Sequence, residues 1–137
     1  MKALGLDLGS KTLGIAISDL TRTLARGLET YRFQEEDYTS ALDYLLKVIE
    51  REKISTIVLG YPKNMDGTVG KQGQVSEHFK AMIESKSHCE VILWDERLSS
   101  KQAVHSLTQN TKKSKRKKRT DEVAAIILLQ SFLDAKK

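Results

Sequence analysis

The 137-residue chain is 39% hydrophobic and 30% charged, a balance that excludes a disordered polymer. It has no apolar run of the roughly 18 residues a membrane span requires, and its single cysteine, Cys89, excludes an internal disulfide or a cysteine zinc cage. The net charge of +5 is local. Residues 112 to 119 (KKSKRKKR) hold seven of the 23 Lys and Arg, and without them 16 basic residues face 18 acidic ones, a balance of −2.

Residues 3 to 19 (ALGLDLGSKTLGIAISD) set two strand patterns around a tight Gly9-Ser10-Lys11 corner. Leu4, Leu6 and Leu8 alternate with Ala3, Gly5 and Asp7, and Leu13, Ile15 and Ile17 alternate with Gly14, Ala16 and Ser18. Strand side chains alternate between faces, so each strand has one greasy face and one of very small residues. Asp7 stands on the small-residue face, where something bulky has room to approach. The alternative is an ordinary hairpin with an exposed acid. Such an early strand does not fit a secretory signal, and we expect a cytoplasmic protein with no membrane partner.

Residues 24 to 33 read as a third antiparallel strand. Residues 37 to 52 switch to helical spacing, with Ala41, Leu42, Leu45, Leu46 and Ile49 on one face, acids before them and bases after. Ile54 to Gly60 is short, β-branched and almost uncharged, as a buried parallel strand reads. The segment Tyr61 to Gly67 holds the single proline and an Asp-Gly turn signal. Residues 71 to 86 predict a more polar helix anchored by Val75, Phe79, Met82 and Ile83, followed by a strand over 90–94 that ends in Asp95-Glu96-Arg97. Ser99 or Ser100 can cap a third helix to about Gln109, with Ala103, Val104 and Leu107 inward. A flexible basic loop is expected at about 110–119, and Thr120 caps a last helix. The three histidines, His78, His88 and His105, show no metal-ligand spacing and read as surface residues. No repeat or linker breaks the chain, which predicts one domain over residues 1–137.

This order yields three antiparallel strands and two reached by crossover helices, a mixed five-stranded α/β sheet flanked by helices. Three acids then occupy informative places. Asp7 lies in the first strand, Glu96 just past the end of a buried strand, and Asp121 in the first turn of the last helix. Each alone has a plain structural reading: Glu96 could pair with Arg97, and Asp121 could support its helix. Together they would form an oxygen-only cluster suited to Mg²⁺ or Mn²⁺. Two such ions, roughly 4 Å apart, can activate water and stabilise a leaving oxygen in phosphodiester cleavage. Candidate phosphate contacts are Lys11, Arg97 and the run Lys112, Lys113, Lys115, Arg116, Lys117, Lys118 and Arg119, with Arg97 alternatively organising Glu96. Asp19 reads as tying down the chain, Trp94 as core, and the Asn64–Gly67 turn as a possible cover for substrate.

Four ordered motifs carry a resemblance: GLDLGSKTLGIAISD, GYPKNMDGT, DERLS and TDEVAAIILLQSFLD. The chain resembles the YqgF-type proteins of the ribonuclease H-like superfamily, described as Holliday junction resolvases and associated with maturing the 5′ end of the small-subunit ribosomal RNA precursor. The resemblance implies a ribonuclease H-like fold and puts Asp7, Glu96 and Asp121 in the places of the family's active-site acids. Three features depart from the pattern. Glu122 does not supply the fourth acid of many superfamily members, the run at 112–119 is more basic than expected, and Tyr61 stands where an aliphatic residue is usual. The expected function is a metal-dependent endonuclease on structured RNA, specifically pre-16S rRNA, with the ribosomal particle as a possible partner. The alternatives are a Holliday junction resolvase acting on DNA, or a nucleic-acid-binding factor without catalysis. A monomer or weak dimer is expected, since no dimerisation stripe is visible and resolvases generally work as two-fold dimers. The hairpin also resembles the phosphate-binding hairpin of actin-like ATPases, but those need a second domain that this length excludes.

Overall fold

The computed structural model describes residues 1–98 and 113–136, the second segment with side chains from Glu122 onward. Its elements run β1 (Lys2–Leu8), β2 (Thr12–Ser18), β3 (Ala25–Arg32), α1 (Tyr38–Glu52), β4 (Ile54–Tyr61), α2 (Lys71–Lys86), β5 (Glu90–Asp95), a single 3-10 turn (Glu96–Leu98) and α3 (Lys113–Ala135). The strands form one sheet in the order β3-β2-β1-β4-β5. β1 pairs antiparallel with β2 and parallel with β4, β3 pairs antiparallel with β2, and β5 pairs parallel with β4. The expected mixed five-stranded sheet is therefore the observed one.

Alternation along the strands builds two different layers. On one face Leu4, Leu6, Leu13, Ile15, Ile17, Ile57 and Leu59 pack with Ala41, Leu45 and Val48 of α1 and Phe79 and Ile83 of α2. On the other, Ala3, Ala16 and Val58 receive Ala125, Leu128, Leu129, Phe132 and Leu133 of α3. Trp94 joins this second layer, edge-on to Phe132, with its indole N–H donating to Ser131 Oγ at 3.2 Å.

Local chemistry sets the ends of α1. Asp37 accepts from the Ser40 backbone N–H at 3.2 Å and from its hydroxyl at 2.8 Å, an N-cap. Lys53 closes the helix at φ 56°, with its N–H on the Ile49 carbonyl. Asp19 ties down the β2–β3 loop as expected, accepting from Thr23 N–H at 2.7 Å and the Thr21 hydroxyl at 3.0 Å.

One boundary differs. The last helix begins at Lys113 rather than Thr120, so residues 113–119 belong to a helix and not to a loop. Lys and Arg are good helix formers and no Gly or Pro interrupts the run, so propensity outweighs local repulsion. The helix expected near 99–109, His105 and Lys112 lie outside the described residues.

Candidate active site

The small-residue face is shaped around the end of β1. Asp7 lies opposite Gly14 on β2, two residues beyond the Gly5–Ala16 pair. On the other flank β1 runs alongside β4 to the Leu6–Leu59 pair, which puts Gly60 beside Asp7. No side chain rises from either neighbour.

Glu96 fills that space from above. A Cβ at Gly60 would lie 2.5 Å from Glu96 Oε1 and 3.4 Å from its Cγ and Cδ, so the Glu96 side chain rests directly on the Gly60 backbone. Asp7 and Glu96, from strands on either side of β4, therefore come to one end of one face.

The third acid arrives on α3. A Cβ at Gly5 would lie 2.6 Å from Leu129 Cβ and 2.9 Å from the Ala125 carbonyl oxygen, so only glycine allows this approach. Gln130 Oε1 accepts from Ala25 N–H at 2.9 Å, while Glu122 Oε1 accepts from the Thr30 hydroxyl at 3.4 Å. Ascending β3 thus means descending α3, and the helix runs antiparallel to β1 and β3. Four helical residues rise about 6 Å, close to the roughly 6.6 Å of two strand residues. The step from Ala125 back to Asp121 therefore keeps pace with the step from Gly5 to Asp7, and the backbone of Asp121 sits level with Asp7. Its side chain lies outside those described. Among the described residues no group of three or more His, Cys, Asp or Glu could hold a metal ion. Glu122 is directed elsewhere, over Gly27 at the β3 edge.

Arg97, read as a phosphate contact or alternatively as the organiser of Glu96, pairs with Asp95. Its Nη2 donates to Asp95 Oδ2 at 2.7 Å, its Nε to Oδ2 at 3.0 Å and Oδ1 at 3.1 Å, and its backbone N–H to Oδ1 at 2.9 Å. The ion pair at this turn is therefore Asp95–Arg97, where the alternative reading of the sequence has Glu96 as the acid. Asp95 stands immediately before the 3-10 turn and caps it, its carboxylate accepting from the backbone N–H two residues on. The Arg97 guanidinium holds the Asp95 carboxyl below the usual carboxylate range, helped by the nearby charge of Lys63, and is itself shifted up by that contact.

The turn after β4 is stapled rather than loose. Asn64 N–H donates to Thr68 O at 2.8 Å, Gly67 N–H to Asn64 O at 2.9 Å, and the Thr68 hydroxyl to Asp66 Oδ1 at 2.6 Å. Gly67 sits at φ 88°, where a side chain would be strained, and the Arg97 guanidinium approaches it. Lys11 is exposed at the β1–β2 corner, and its carbonyl accepts from Phe33 N–H at 2.9 Å.

Sequence reasoning missed Gln72, whose amide donates to the Leu8 carbonyl at 2.9 Å and ties the start of α2 to the end of β1. It also missed Lys63, 5.3 Å from the Tyr61 ring centroid, and the role of Asp95. The acid two residues before Arg97 was the one available signal.

Comparison with known proteins supplies the family. A family model described as "RuvX: Holliday junction resolvase" matches residues 1–135. A protein of Geobacillus sp. (strain WCH70), named "Putative pre-16S rRNA nuclease", is 46% identical over 137 residues, covering 99% of each chain. One of the same name from Staphylococcus saprophyticus is 44% identical over 136 residues, covering 98% of this chain and 96% of that one. Among solved structures, T. thermophilus RuvC in complex with a Holliday junction substrate superposes with TM-score 0.66 at 13% identity, covering 100% of this chain and 97% of that chain. The fowlpox virus resolvase with its junction DNA gives TM-score 0.60 at 17% identity, covering 99% of each. At such identities the structural likeness establishes the fold, which is ribonuclease H-like, while the sequence likeness establishes kinship. The chain belongs to the RuvX family, the YqgF-type proteins, and is a member of a family of nucleases.

Proposed function

We propose that this protein is a metal-dependent endonuclease that matures the 5′ end of pre-16S rRNA. The observation that carries the reading is the near full-length identity of 46% to a relative bearing that name. The convergence of Asp7 and Glu96 over Gly60, with Asp121 level on α3, supplies a chemistry for it.

The donor set fits a hard cation. It contains carboxylate oxygens without thiol or imidazole, on a face kept clear by Gly14 and Gly60. Asp7, Glu96 and Asp121 would hold Mg²⁺ or Mn²⁺. When bound, such ions lower the pKa of water and neutralise charge on the phosphate. The chain does the positioning. Asp7 is fixed by central-strand backbone, Glu96 by the turn after β5, and Asp121 by a helix anchored on Gly5. Lys11 and the run from Lys113 to Arg119, which precedes Asp121 on the same helix, would take phosphates flanking the cut. A pre-rRNA substrate implies action in the cytoplasm, on free precursor or on the assembling ribosomal particle.

A second reading, cleavage of four-way DNA junctions, is favoured by the description of the matching family model. One experiment separates the two. Wild type, Asp7→Asn, Glu96→Gln and Asp121→Asn are given a precursor rRNA fragment and, in parallel, a four-way DNA junction, each with Mg²⁺ or Mn²⁺. RNA cutting by wild type alone supports the processing nuclease. Junction cutting by wild type alone supports the second reading. Equal activity of wild type and all three variants overturns the acid site.

A further inference from the structure

The end of β5 places three consecutive charged residues on two faces of the sheet. Val91 and Leu93 belong to the layer under α1 and α2, whereas Ile92 and Trp94 pack against the layer of α3. By the same alternation Asp95, in register with Tyr61, falls on the α2 side. Tyr61 meets Glu77 of α2 through its hydroxyl, and Lys63 folds over the Tyr61 ring. Arg97 returns to this side and closes on Asp95 through its guanidinium and its backbone N–H together. Glu96, between them, is left on the opposite face, its carboxylate over Gly60.

We propose that Asp95 is a positioning residue: its clasp on Arg97 fixes the turn that aims Glu96 at the space beside Asp7. This rests on the reading of Glu96 as a metal-holding acid, and it assigns a task to an acid that would not itself touch metal or substrate. The clasp has two separable parts. The backbone N–H of Arg97 needs only an acceptor oxygen at residue 95, which asparagine also provides. The guanidinium needs the charge, and it draws strength from both carboxylate oxygens. Without the clasp, the turn that carries Glu96 loses the contact that ties Arg97 back to the end of β5, and with it the geometry that lays Glu96 over Gly60. Carboxylates that orient ligands from behind typically govern about 10–100-fold in metal affinity.

The test uses the full chain and Mn²⁺ alone as probe, with affinity read by electron paramagnetic resonance in wild type, Asp95→Ala, Asp95→Asn and Glu96→Gln. Melting temperatures and crystal structures of wild type and Asp95→Ala accompany it. Asp95→Ala should weaken Mn²⁺ binding by about 10–100-fold, approaching Glu96→Gln, at a melting temperature near that of wild type. Asp95→Asn should fall between, and in the Asp95→Ala crystal Glu96 should have left Gly60. Wild-type Mn²⁺ affinity in Asp95→Ala, or Glu96 still seated on Gly60, overturns the clasp. If wild type and Glu96→Gln bind Mn²⁺ equally, the metal reading of Glu96 fails by itself. The position of Glu96 in the Asp95→Ala crystal then decides the clasp alone.

Discussion

The two faces of the sheet are built from opposite materials. Under α1 and α2 the strands present Leu4, Leu6, Leu13, Ile15, Ile17, Ile57 and Leu59, all buried to within a few per cent. Under α3 the same strands present Ala3, Gly5, Gly14, Ala16 and Gly60, and the only acid of β1. The first face removes aliphatic surface from water and carries the hydrophobic contribution, about 25 cal/mol for each Å² buried. The second contributes less per residue but lets a helix lie against the backbone and leaves space at one end for carboxylates. Stability and site therefore share strands without sharing residues, and each face should fail in its own way.

Leu6→Ala should cost about 2–5 kcal/mol, by cavity formation on the filled face. Gly5→Ala adds one carbon to the other and should cost about 1–3 kcal/mol, because the Ala125 carbonyl and Leu129 Cβ cannot move without shifting α3. Denaturant titration of both variants measures the two costs, and a neutral Gly5→Ala would contradict the close approach. Gly60→Ala should separate function from stability. Its new Cβ meets the end of a flexible Glu96 side chain, so unfolding should change by no more than about 0.5 kcal/mol. Cleavage should nevertheless drop about 10–100-fold.

Charge gives the next smaller effects. Replacing Lys113, Lys115, Arg116, Lys117, Lys118 and Arg119 by glutamine keeps helix-forming residues and removes six charges. If these residues neutralise phosphates, the salt dependence of nucleic-acid binding should become shallower, by about 0.7–0.9 for each phosphate left without its cation. An unchanged slope would take the run out of the interface. The smallest expected effect is on pH dependence. Hydrogen bonds hold Asp19, Asp66 and Asp95 below their ordinary value of 3.8, chiefly from Thr23 N–H, the Thr68 side chain and Arg97 respectively. Because the ionised forms are favoured in the fold, their contribution is complete above that value and disappears as pH falls through the lowered folded-state values. Thermal melts taken down an acid series should drop in that window, and Asp19→Asn should flatten the drop.

Much of this was legible in the sequence. Period-two alternation assigned Ala3 to Leu8 and Leu13 to Ser18 to their faces, and helical spacing marked α2 from Lys71 to Lys86, the observed bounds. These signals are strong because burial repeats them along the chain. The start of α3 was hidden because a run of Lys and Arg looks solvated whether or not it is helical. The Asp95–Arg97 clasp was hidden for another reason: a single 3-10 turn repeats nothing, so neighbouring charges do not declare which pair will meet. Gly60 looked like the end of a strand, and only the folded chain reveals what rests on it.

The position of β1 also bears on the order in which the protein is made. β1 finds β2 close by in sequence, but its other flank waits for β4, and the Ala/Gly face waits for α3, which follows every strand. Domains are synthesised at about 5–20 residues per second, so for several seconds a nascent chain holds Asp7 on a bare face, without the helix that brings Asp121. An enzyme of the kind proposed would stay inert until α3 has been made and has docked on that face.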